Sequence, residues 1–189
     1  MNTTDCKVSL TSTADSFTRK TEPNKNFGAQ TTVELSKYGS WELETAYLDF
    51  PVQSSIPSVA TITSAELKLH VSNWGGWAVD TEIRLVGQAW AETTINYSNA
   101  PAVLTTGPWS KETIGWGWNA LNVTPQIIAW LGAPSTVHGL RLGVVDTSRP
   151  RPGTCYSDGG SPMCGYSAAP KSKEHLVAVE RPVLEVTYK

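Results

Sequence analysis

The sequence is poor in charge, in phenylalanine and in cysteine, and each shortage removes a class of function. Only 17% of its 189 residues are charged, 15 Lys and Arg against 17 Asp and Glu, which leaves no basic stripe for a polyanion and no acidic tail. Nucleic acid is therefore not an expected partner. No run of about 18 apolar residues occurs, so no membrane-spanning helix is expected, and the opening "MNTTDCKVSL" lacks the apolar stretch of a secretion signal. The 3 histidines, His70, His138 and His175, stand outside any nucleophile context such as G-x-S-x-G. With no triad signature, the chain reads as non-catalytic.

Three cysteines make no zinc site of paired C-x2-C type. Cys155 and Cys164 bracket "YSDGGSPM", a loop that a disulfide between them would staple, at a gain of roughly 3 kcal/mol in the loop-entropy picture. Two reduced thiols are the alternative. Cys6 is left over, either a free thiol or a partner for a neighbouring domain.

What the chain has in excess is tryptophan, 8 against 3 phenylalanines, on a background rich in Thr, Ser, Val, Gly and Pro. That background suits a strand-rich extracellular domain, and the length suits one domain over residues 1–189. Apolar residues recur with period two, the spacing that sends alternate side chains to one face of a strand. In "ITSAELKLHV", Ala65, Leu67, Leu69 and Val71 alternate with Glu66, Lys68 and His70. "KVSLTS", "TTVELSK", "TAYLDF", "EIRLVGQAW", "ALNV", "GLRLGVV" and "PVLEVTY" bring the total to about eight strands. Turn chemistry such as "EPNKNFG", "SNWGG" and "SDGGSP" separates them.

"NVTPQIIAWLGAP" departs from the pattern. Thr124 suits an N-cap, Pro125 the first helical position and Gly132 the stop, so one short helix is expected near residues 124–131. The fold class that follows is all-β: a two-sheet antiparallel β-sandwich, of jelly-roll type, with one helix plugging an end.

Several stretches, in order, resemble the DNRLRE-type domain of secreted and surface-attached microbial proteins, which overlaps the carbohydrate-binding modules. They are "ADSFTRKTEPNKNFG" (Ala14 to Gly28), "AYLDFPVQSSIPSVATITSAELKLHV" (Ala46 to Val71), "WAETTINYSNAP" (Trp90 to Pro101), "LNVTPQIIAWL" (Leu121 to Leu131), "GLRL" (Gly139 to Leu142) and "RPVLEVTY" (Arg181 to Tyr188). The resemblance runs from about residue 10 to the end. It implies a sandwich, a secreted or cell-surface location, and either polysaccharide binding or a spacer or adhesive role beside other domains of a larger protein. Asn122 stands where the family usually has Asp, and the stretch after Tyr156 and Ser157 makes a long detour that the family does not explain. Jelly-roll modules often hold a structural calcium, and Asp15, Asn24 and Asn26 form the oxygen-rich set that could ligate one here.

The tryptophans divide by context. Trp90 and Trp130 read as packing residues. Trp74, Trp77 and Trp109 fall in turn-rich stretches beside glycine or proline, and alternation from Leu121 and Val123 sends Trp116 and Trp118 to the face opposite the core unless a bulge at Gly117 resets the register. Exposed indoles are rigid plates on which the C–H faces of sugar rings stack. Trp74, Trp77, Trp109 and Trp116 are thus the candidate ligand surface, with Trp118 read as packing beneath a loop. Arg149, Arg151, Tyr156 and Asp158 supply polar and aromatic contacts from the detour, where arginine forks would suit an acidic polysaccharide. The rival reading makes the loop solvated and the indoles a lid or a seat for an adjoining domain.

Overall fold

The structure is a computed structural model that describes residues 5–38, 42–72, 78–145, 155–156 and 163–189. Two antiparallel sheets face each other, as the alternation predicts. The smaller contains β1 (Cys6–Thr11), β12 (Val183–Tyr188), β5 (Ile62–Val71) and β8 (Gly117–Asn122), in that spatial order. In the larger, β10 (Cys155–Tyr156), β11 (Met163–Ala168), β3 (Leu35–Tyr38), β4 (Glu42–Asp49), β9 (Leu140–Val144), β6 (Val79–Leu85) and β7 (Trp109–Ile114) follow one another. β2 (Ala14–Arg19) pairs with β4 outside this path.

The inner faces meet in one apolar core. Leu10, Leu67, Leu69, Leu121, Leu184 and Val186 come from the smaller sheet, and Leu35, Ala46, Leu48, Ile83, Leu85, Leu140 and Leu142 from the larger. All are buried, and stripes of this kind stabilise by roughly 25 cal/mol for each Å² of apolar surface removed from water. A second cluster of Tyr47, Val86 and Ile95 lies apart from this core, with Trp90 packed against it. The Trp90 indole N–H donates to the His138 carbonyl at 2.7 Å, so its packing role agrees with the sequence reading.

Helix α2 (Thr124–Gly132) closes one end of the sandwich, against β5 and a one-turn helix α1 (Val52–Ser55). Its entry differs from expectation in one respect. Val123, not Thr124, is the N-cap residue, and the Thr124 hydroxyl turns to accept from the Ala65 N–H at 2.9 Å. Asn122, the residue before the N-cap, accepts from the Thr124 N–H at 3.1 Å and so satisfies one of the free donors of the first turn.

Strand register also fixes where the ends of the sandwich lie. Val71 pairs with Gly117 at one end of the smaller sheet, whereas Ile62 pairs with Tyr188, and Tyr188 with Cys6, at the other.

Candidate functional site

The turn joining β7 to β8 carries the candidate site. Gly117 holds φ at +80°, a conformation that favours glycine, and the Asn119 side chain locks the turn from within. Asn119 Oδ1 accepts from the Gly115 N–H at 2.8 Å, while Nδ2 donates to the carbonyls of Gly115 and Gly117 at 2.9 and 3.0 Å. With the backbone so fixed, alternation resumes: Leu121 is buried and Trp118, Ala120 and Asn122 face out. Trp116 at the tip is 68% exposed and Trp118 is 53% exposed. Trp118 is thus not packed beneath a loop. A side chain directed outward from an edge strand has no facing layer to cover it.

Around Trp118 the outer face of the smaller sheet is polar. Its register partner His70 meets the indole edge-on at 5.2 Å between ring centroids. Glu180 lies 3.5 Å from the His70 ring and 3.1 Å from that of His175. Further along the face, Glu185 bridges Lys7 and Lys68 at 2.8 and 2.9 Å, an arrangement that holds the Glu185 carboxyl below and the Lys7 ammonium above their usual ranges. An indole plate beside fixed donors and acceptors is the combination that a sugar ring, apolar on its faces and hydroxylated at its rim, can use.

Trp74 and Trp77 lie outside the described residues, but the strands on either side of them do not. The chain leaves β5 at Val71, the partner of Gly117, and re-enters β6 at Val79, the partner of Ile114, so both ends of the segment flank the Trp116 turn. Trp109 stands elsewhere. At the far end of β7 from Trp116, on the outer face of the larger sheet, it is 57% exposed with the Arg84 guanidinium 5.5 Å from its ring centre. About six residues at roughly 3.3 Å each separate it from the turn, some 20 Å, so Trp109 and Trp116 do not form one plate.

Arg149, Arg151 and Asp158 lie outside the described residues, as does the side chain of Tyr156. The backbone register of β10 and β11 sets Cys155 directly opposite Cys164; the side chains themselves lie outside the description. Cys6 is an exposed free thiol.

The proposed calcium ligands take up other partners. Asn24 Oδ1 accepts from the Ser98 hydroxyl, and Asn26 Nδ2 donates to the carbonyls of Glu92 and Ile95 at 2.7 and 2.8 Å. Asp15 is instead grouped with Glu92 and Glu174, one carboxylate oxygen of each lying within 4.8 Å of the others. Burial, reinforced by those two carboxylates, pushes the Asp15 carboxyl up to about 7, against the Lys173 N–H that it accepts. No local motif joins three acids so far apart in sequence: Asp15 alone was a candidate ligand from the sequence, and Glu92 and Glu174 reach it only through the fold.

A two-sheet sandwich whose edge strands present indoles beside fixed polar groups has the character of a carbohydrate-binding module, a class commonly found outside the cell. The family model described as carbohydrate-binding module family 96 matches residues 6–145, most of the chain, and the chain belongs to that family. Membership places it among binding modules and points to a non-catalytic domain. A comparison with curated proteins finds no match. Among the described residues, no helix is long and apolar enough to cross a membrane.

Proposed function

We propose that this module, of DNRLRE-like type, holds a polysaccharide by stacking sugar rings on Trp116 and Trp118 at the β7–β8 end of the sandwich, with Trp74 and Trp77 as further plates. The observation that carries this reading is the exposure of the two indoles on a turn locked by Asn119. A loop tip held this firmly loses little entropy on binding, which favours affinity. His70, Glu180 and Lys68 would hydrogen-bond hydroxyls at the rim. Trp109, with Arg84, is a separate contact surface for the same or another chain.

A second reading, the spacer or adhesive module, rests on a different observation. Leu176 and Val179 are exposed by 90% and 78%, and they lie in the segment leading into the Glu180 that contacts His70. Exposed apolar side chains in the segment that reaches His70, the register partner of Trp118, suit a neighbouring protein surface. Affinity electrophoresis and Trp fluorescence against neutral and acidic polysaccharides separate the two. Retardation that W116A and W118A each weaken, with unchanged circular dichroism, supports stacking at this end; silence across the panel from the folded wild type removes it.

A further inference from the structure

The structure assigns a divalent-cation site, with the coordination preferences of Ca²⁺, to Asp15, Glu92 and Glu174, where β2, the segment after Trp90 and the approach to β12 meet. The site is built by backbone as well as side chain. The Asp15 N–H donates to Glu92 Oε1 at 2.8 Å, and the Lys173 N–H donates to Asp15 Oδ2 at 2.7 Å. Lys173 Nζ bridges Glu92, at 3.0 Å, and Glu174. Gly28 lets the chain approach closely, since a Cβ there would lie 2.3 Å from the Glu92 carbonyl oxygen.

After these contacts two oxygens are left over. Asp15 Oδ1 and Glu174 Oε2 are buried and have no hydrogen-bond partner, and the Asp15 side chain is only 1% exposed. Buried polar atoms are rarely left so, because an unmet acceptor has given up its hydrogen bonds to water without replacing them. Charge points the same way: with Asp15 ionised, as a bound cation would favour, three carboxylates against the Lys173 ammonium leave a deficit that one divalent ion matches. The donors are all carboxylate oxygens, which suits a hard cation, and Ca²⁺ accepts a cage of protein oxygens more readily than Mg²⁺, which keeps several of its waters. Lys173 then holds Glu92 and Glu174 in place from outside the ion's shell. This assignment is independent of any sugar and replaces Asn24 and Asn26 with acids from distant segments.

The test is thermal unfolding and calorimetric titration of the full chain at neutral pH. Moving from excess EDTA to CaCl₂ at about 100 times Kd is expected to raise Tm by about 5 °C, with a smaller rise in MgCl₂. D15N and E174Q are each expected to abolish both the shift and the heat of binding; E174Q, at a less buried residue, decides the matter if D15N fails to fold. A wild-type Tm identical in EDTA and CaCl₂ with no heat overturns the assignment. So does a calcium response that survives in E174Q.

Discussion

Asn119 touches no proposed ligand, yet replacing it with alanine is expected to disable the Trp116 end of the molecule. Three bonds of 2.8 to 3.0 Å tie its amide to the backbone of the Gly115–Gly117 turn, and a fourth contact reaches the Leu69 carbonyl on β5. A net value of about 1 kcal/mol for each short bond, reduced because water reaches part of the turn, gives a loss near 2 kcal/mol. For a chain of this size that lowers Tm by about 4–8 °C. N119D keeps the acceptor for Gly115 but turns a carboxylate toward carbonyl oxygens, and is expected to cost at least as much. The assays are urea denaturation for stability and affinity electrophoresis for binding, in which the loosened turn weakens retention about tenfold, equivalent to about 1.4 kcal/mol. A denaturation midpoint and a retention both equal to wild type in N119A would refute the idea that this side chain sets the indoles.

Two further outcomes follow from packing and register. Arg19 binds Glu44, Glu22 and Glu34 at 2.5, 2.7 and 2.8 Å and lies 4.9 Å from the Phe27 ring centre, an arrangement that raises its own pKa and in which burial and Glu44 raise that of Glu34. R19A strands the buried Glu44 and is expected to cost about 3 kcal/mol by urea denaturation, with R19K intermediate because a point charge cannot fork to three carboxylates; a loss below about 1 kcal/mol would place the network at the level of ordinary surface pairs. Residues facing each other in antiparallel strands have Cα atoms about 4.5–5.5 Å apart, within disulfide range, so Cys155 and Cys164 are expected to form one. Non-reducing peptide mapping that finds both thiols free in protein secreted through an oxidising compartment would exclude the bond.

The strands legible in the sequence were those with one wet and one dry face. β5 was transparent because Glu66 and Lys68 lie between Leu67 and its apolar neighbours. β2 was not, because "ADSFTR" is buried along its middle on both faces and shows no alternation. β7 hid for the opposite reason: at a sheet edge, Ser110 and Glu112 take the positions facing inward, so its period carries no apolar signal. The site followed the same rule. Alternation from Leu121 and Val123 pointed Trp116 and Trp118 outward together, while the freedom of Trp118 from a covering loop depended on the place of β8 at the sheet edge, which only the sheet order reveals. Asp15, Glu92 and Glu174 are joined by topology alone.

The place of β12 has a mechanical consequence. Between β1 and β5, and beyond residue 145 where the family match ends, β12 aligns Cys6 with Tyr188 and Thr11 with Val183. A pull applied to Cys6 and Tyr188 therefore loads the ladder from one end and parts its hydrogen bonds in succession, as a zipper opens, instead of shearing them together. Tension carried along the backbone would undo the seam farthest from Trp116 first, and the edge proposed to meet the ligand would be the last to feel it.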